Sequence, residues 1–208
     1  MRRPGTLLLT VLVGCAPAAG APETGPAPAR TAAPAASQDT SKLVPPGFGT
    51  LRQDEITVSL RSGALLVKVT PLSEAVIRLT APDTYDRLHA LAANRRIEAE
   101  RAAGAAGVEL FLVSFFSYQP DVVFQPEDLQ LEHQGRVLRA VAILPLTPEW
   151  GKQRLQQQET QAAIYGFPPG LDYELALEVR YGPQESDAWS QIIPKLEVER
   201  AKARARAG

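Results

Sequence analysis

The sequence predicts a mainly β protein, an antiparallel sandwich with one inserted α-helix at about residues 81–103. Three observations lead there. Seven or eight short segments alternate apolar and polar residues, turn-forming residues separate them, and one long stretch carries helical spacing instead.

Gly47 to Gly49 opens the folded part. ITVSL (Ile56–Leu60) alternates as a half-buried strand does, Arg61-Ser62-Gly63 makes a turn, and ALLVKVT returns as a second strand. EAVIRLT (Glu74–Thr80) reads as a third strand from its β-branched content. TAPDTYDRLHALAANRRIEAERAAG then changes period. Tyr85, Leu88, Leu91, Ala92, Ala99 and Ala103 share one helical face, Thr80 with Asp83 suits a capping box, and Gly104 suits a stop. Arg96 and Glu100 stand four apart and are placed to pair.

GVELFLVSFFSY (Gly107–Tyr118) is apolar in both alternating registers, so it predicts a strand buried on two faces, with the preceding helix as cover. Leu129 and Leu131 alternate with Gln130 and Glu132, Gln134-Gly135 supplies a turn, and Val137–Leu144 runs back as a hairpin. Thr147–Phe167 begins as a short helix or loop and ends as a strand. In LDYELALEVRYG, residues Tyr173, Leu175, Leu177, Val179 and Tyr181 face inward. Pro194 makes AWSQIIPKLEVER an edge strand or bent element, because proline removes a ladder donor. The folded domain is thus 47–200, and 201–208 is a basic tail expected to fray. Tyr173 follows Pro168-Pro169-Gly170 at the head of an alternating segment, which resembles the tyrosine corner of immunoglobulin-like sandwiches. Leu175 stands where antibody domains carry a cysteine, so the resemblance implies an immunoglobulin-like sandwich without its disulfide.

The N-terminus predicts location. Arg2 and Arg3 precede an apolar run, Leu7–Val13, of signal-peptide length and too short for a bilayer, which needs about 20 residues. Leu12-Val13-Gly14-Cys15 resembles the lipobox of bacterial lipoproteins. That resemblance implies a signal peptide over 1–14 and diacylglycerol on Cys15; Ala16 in place of aspartate implies the outer membrane. Two or more acyl chains give stable anchoring, at about 0.8 kcal/mol per buried methylene. Residues 15–46 then form a lipidated cysteine and an Ala/Pro-rich, disordered tether with little that is large enough to bury. Cys15 is the single cysteine of the 208 residues, so no disulfide supports the fold.

Charge narrows the partners. The chain carries 22 basic and 23 acidic residues. Removing Arg2 and Arg3 with the leader leaves 20 against 23, a net −3, which gives no general attraction for nucleic acid. His89 and His133 form no H-E-x-x-H arrangement, and Asp121, Glu127 and Asp128 lack calcium-loop spacing. No nucleophile elbow or phosphate-binding glycine loop occurs. The sequence therefore predicts no catalytic residue, no metal and no cofactor. Trp150, Tyr165, Phe167 and Trp189 fall near loops or element ends and are the candidate contacts for an envelope protein or cell-wall polymer; the same positions suit core packing. The function expected is a non-enzymatic binding or assembly module of an outer-membrane lipoprotein. The alternative is an envelope hydrolase with carboxylates in a cleft between sheet and helix.

Overall fold

Antiparallel pairing begins locally. In the computed structural model, which describes residues 43–208, β1 (Val58–Ser62) turns through Gly63-Ala64 into β2 (Leu65–Pro71), with Gly63 at a φ of 60°. Two helices intervene, α1 (Glu74–Ile77) and α2 (Pro82–Ala103), before the long strand β3 (Glu109–Ser117). Then come β4 (Val122–Val123), β5 (Leu129–His133), β6 (Arg136–Arg139), β7 (Ala142–Pro145), β8 (Arg154–Leu155) and β9 (Thr160–Phe167). β10 (Leu177–Tyr181), β11 (Gln184–Ser186) and α3 (Trp189–Ala207) complete the chain. Cys15, the leader and most of the tether lie outside the described residues.

The strands form a five-stranded sheet, β1-β2-β3-β9-β7, a four-stranded sheet, β11-β10-β5-β6, and the short pair β4-β8. Every strand pairing is antiparallel. The chain is thus the mainly β, antiparallel sandwich with an inserted helix that its pattern predicts. Alternation decides which face each residue takes. Val58, Leu60, Leu65, Val67, Val69, Phe111, Val113, Phe115, Tyr165 and Phe167 point from the first sheet into the core. Leu129, Leu131, Leu177, Val179 and Tyr181 meet them from the second. Phe115 stacks on Phe124 at 4.6 Å between ring centres, with Tyr181 at 5.6 Å and Trp150 at 5.8 Å. The predicted Gln134-Gly135 turn forms with both residues at positive φ, the geometry a two-residue hairpin requires.

The helices depart from the sequence pattern in three places. Glu74–Thr80 is not a strand: α1 makes one turn, and Val76 and Ile77 donate to the Ser73 carbonyl. Adjacent residues Val76 and Ile77 are both buried, which a one-faced strand cannot arrange. α2 starts after Ala81 with no side-chain cap, because Thr80 Oγ1 donates backward to the Ile77 carbonyl instead of forming a box with Asp83. The C-terminal element is neither an edge strand nor a bent end with a frayed tail. It is a 19-residue helix that includes residues 201–207. Trp189, Ile192, Leu196 and Ala203 bury one side at helical spacing, and this outweighs the hydrogen bond that Pro194 removes. Leu175 also moves from its expected place: it lies ahead of β10 and is exposed.

Gly49 fixes the start of the domain. Leu51 donates to the Leu79 carbonyl at 3.1 Å, and Ala81 donates to the Leu51 carbonyl at 2.8 Å. A Cβ on Gly49 would sit 2.2 Å from the carbonyl carbon of Leu79, so backbone would have to move. Gly49→Ala is expected to destabilise the domain by about 3 kcal/mol. Urea unfolding measures it; an unchanged midpoint would refute this close approach.

Candidate functional site

The outer face of the five-stranded sheet is covered on one half only. α2 packs against β7 and β9, where Leu88, Ala92 and Ala99 bury the helix face. The other half, over β1, β2 and β3, holds a cleft of about 410 Å3 lined by Gln53, Asp54, Thr57, Ser59, Lys68, Thr70, Leu112 and Ser114.

Register builds its rows. Ser59 lies opposite Lys68, and Lys68 lies opposite Ser114, so a hydroxyl flanks the lysine on each side. One step along the face, Thr70 stands opposite Leu112. In the other direction Arg61, Leu66 and Phe116 form a row, and Tyr118 lies two residues beyond Phe116 along the chain. Neighbouring residues in such rows have Cβ atoms about 5 Å apart. The back wall is already tied: Thr57 and Thr70 share a 2.7 Å hydrogen bond, and Gln53 Nε2 donates to Thr70 Oγ1 at 3.4 Å. Arg87 of α2 donates to Gln53 Oε1 at 2.8 Å, which joins the helix to the cleft rim. Among the described residues, the Ser59 and Ser114 hydroxyls and the Lys68 ammonium have no hydrogen-bond partner and no counterion. Asp54 is the single carboxylate in the lining, and Arg52 pairs with it at 3.2 Å.

The aromatic candidates lie elsewhere. Trp150 is 6% exposed, and Tyr165, Phe167 and Trp189 are fully buried, so they pack the interior and do not form a contact rim. Tyr165 donates to the Pro126 carbonyl at 3.0 Å and Trp189 to the Tyr173 carbonyl at 3.2 Å. The Tyr173 hydroxyl donates to Glu109 Oε2 on β3, not to nearby backbone as a tyrosine corner would. Burial pushes the Glu109 carboxyl up despite that bond and nearby Arg96. The expected Arg96–Glu100 pair is absent: Arg96 donates to the Val108 carbonyl, and Glu100 accepts from the Gly107 amide.

His133 is buried at the end of β5, with Nδ1 donating to the Ala176 carbonyl at 3.0 Å and Nε2 accepting from the Asp172 amide at 3.2 Å. It pins a loop. His89 belongs to a cluster that the linear sequence conceals. Its Nδ1 meets Glu74 Oε1 at 2.6 Å, Arg78 Nε donates to Glu74 Oε2 at 2.5 Å, and Tyr85 stacks on the imidazole at 5.2 Å. Asp121 accepts from Arg154, while Glu127 and Asp128 belong to a single 3-10 turn. Among the described residues no group of three or more His, Cys, Asp or Glu could hold a metal ion, and no helix is long and apolar enough to cross a membrane.

No protein-family model, curated protein or solved structure matches the chain.

Two carboxylates give the domain a pH dependence. Burial alone would raise Glu199, but hydrogen bonds from Arg206 at 2.8 Å and from the Thr50 amide and hydroxyl, both at 2.9 Å, hold it below its ordinary 4.5. Glu74 is lowered in the same way: burial is outweighed by hydrogen bonds from Arg78 and His89. Both carboxyls bind protons less readily folded than unfolded. The stability they contribute is therefore complete above pH 4.5 and is lost as pH falls through their lower folded values. Glu199→Gln is expected to destabilise by about 1–2 kcal/mol at neutral pH. Urea titrations at several pH values should show that gap closing as the wild-type carboxyl protonates; a gap constant from neutral pH to about pH 2 would refute the assignment.

Proposed function

We propose that the chain is a lipoprotein of the bacterial cell envelope, anchored in the outer membrane through acylated Cys15, and that its sandwich is a non-enzymatic binding or assembly module. The observation that carries this reading is Leu12-Val13-Gly14-Cys15, placed directly after a basic start and a short apolar run. Acylation gives a solitary cysteine a purpose that a disulfide cannot. The tether of 15–46 lets the domain search a layer beside the membrane, which raises its effective concentration toward partners there.

The open sheet half supports a binding role over catalysis. A hydrolase using paired acids needs two carboxylates converging on one space, and Asp54 is the one carboxylate lining the cleft. Uncommitted hydroxyls and a lysine without a counterion suit recognition of an external polar group.

Cys15→Ser is expected to move the protein from the membrane fraction to the soluble fraction and to abolish incorporation of labelled palmitate. Intact-mass measurement of the wild-type mature chain should find diacylglycerol on a chain beginning at residue 15. Membrane retention of the serine variant, or an unmodified start beyond residue 15, would overturn the anchoring.

A further inference from the structure

We propose that the open half of the five-stranded sheet binds an acidic glycan, with Lys68 meeting a sugar carboxylate. This deepens the reading of the domain as an envelope binding module and rests on it.

Charge is the first ground. On the outer face of the other sheet, Arg180 is met by Glu132, Glu178 and Glu185. On the open face, neither Lys68 nor Arg61 has a carboxylate partner among the described residues. Arg61 lies over the Tyr118 ring at 4.9 Å instead. Alternation puts both cations on the same surface, in adjacent rows on neighbouring strands, a diagonal separation of about 7–8 Å. An anion repeated along a chain fits two such charges.

The lining supplies the second ground. Ser59 and Ser114 extend the lysine row across three strands, a span of about 10 Å at usual strand spacing. Their free hydroxyls can each donate to and accept from a sugar. Asp54, at the rim, is an acceptor for sugar hydroxyls and would repel a purely anionic ligand. Phe116 and Tyr118, in edge contact at 4.7 Å, bound the row beside Lys68, and Tyr118 is 46% exposed. The exposed part of Tyr118, with Arg61 over its ring, adds apolar surface beside the polar donors, and a pyranose ring carries both C–H groups and hydroxyls.

The third ground separates a glycan from a peptide. Extended peptides bind sheets chiefly by adding a strand at an edge. β2 and β3 are interior strands, each paired on both sides, so their backbone groups are taken; β1 is the edge of this sheet, and a peptide added there would lie beside the face and not over Lys68. Recognition over β2 and β3 has to come from side chains. Two cations and a net charge of −1 for the whole chain do not suit nucleic acid.

The test is calorimetric titration of the full chain carrying Cys15→Ser with trigalacturonic acid, neutral galactotriose and glucose 6-phosphate. Trigalacturonic acid should bind at least about tenfold more tightly than galactotriose, and more weakly as salt rises. Lys68→Gln and Ser114→Ala, with unchanged melting, should weaken the acidic ligand, the lysine variant by about tenfold. Equal affinity for acidic and neutral sugars, indifference to Lys68→Gln, or no binding at millimolar ligand would overturn the proposal. Tighter binding of glucose 6-phosphate would overturn the carboxylate assignment. The unacylated chain is used throughout, so a negative titration leaves lipidation of Cys15 standing, and a failure of lipidation leaves the titration readable.

Discussion

β3 carries apolar residues on both faces. Phe111, Val113 and Phe115 face one way and Leu110, Leu112 and Phe116 the other, so each face of this strand calls for cover. The second sheet closes the inner side, where Phe115 joins Phe124, Trp150 and Tyr181 in one aromatic cluster. On the outer side α2 runs over β7 and β9 and covers only part of the strand. Leu110, at the helix-covered end, is fully buried, while Leu112 and Phe116 are half-buried. That unequal cover creates a sheltered half and an open half of the same sheet, and the cleft around Lys68 occupies the open half.

Polar clasps hold the covering elements in place. α3 is tied back to the start of the domain by Glu199, which accepts from Thr50 and Arg206, while Arg206 also donates to the Phe48 carbonyl at 2.6 Å. A carboxylate as buried as Glu199 loses hydration on folding, and three charge-assisted hydrogen bonds offset that cost. At the other end Glu74 gathers Arg78, His89 and Tyr85, fastening α1 to the first turns of α2. Tyr173 links β3 to α3: its hydroxyl reaches Glu109 on β3, and its carbonyl accepts from Trp189 at the start of α3.

Strong periodicity was legible in the sequence. The double-apolar run of β3, the Gln134-Gly135 turn and the single face of α2 each carry their own local signal and form as expected, but the returning run Val137–Leu144 splits between the two sheets: β6 pairs with β5, and β7 crosses over to pair with β9. Local signals failed where tertiary context decides. Pro194 suggests a strand edge, yet Trp189, Ile192 and Leu196 carry helical spacing, and their burial outweighs the one hydrogen bond that the proline removes. Glu74–Thr80 has β-branched content but sits in a corner that buries consecutive residues. Large aromatics near loops suggested a contact surface, but their area is worth more inside, and all four are buried there. The cleft itself has no linear signature. Ser59, Lys68 and Ser114 belong to three strands, the third separated from the others by α2, and only the register brings them together.

The division of the outer sheet face can be measured directly by thiol accessibility. In a Cys15→Ser background, Ser114→Cys and Ala142→Cys each place one thiol on that face, the first in the cleft and the second on β7, against which α2 packs. The structure predicts that the folded Ser114→Cys protein reacts readily with a maleimide, while Ala142→Cys reacts only as the domain opens. Equal labelling of the two, or protection of the cleft position, would contradict a sheet covered on one half alone.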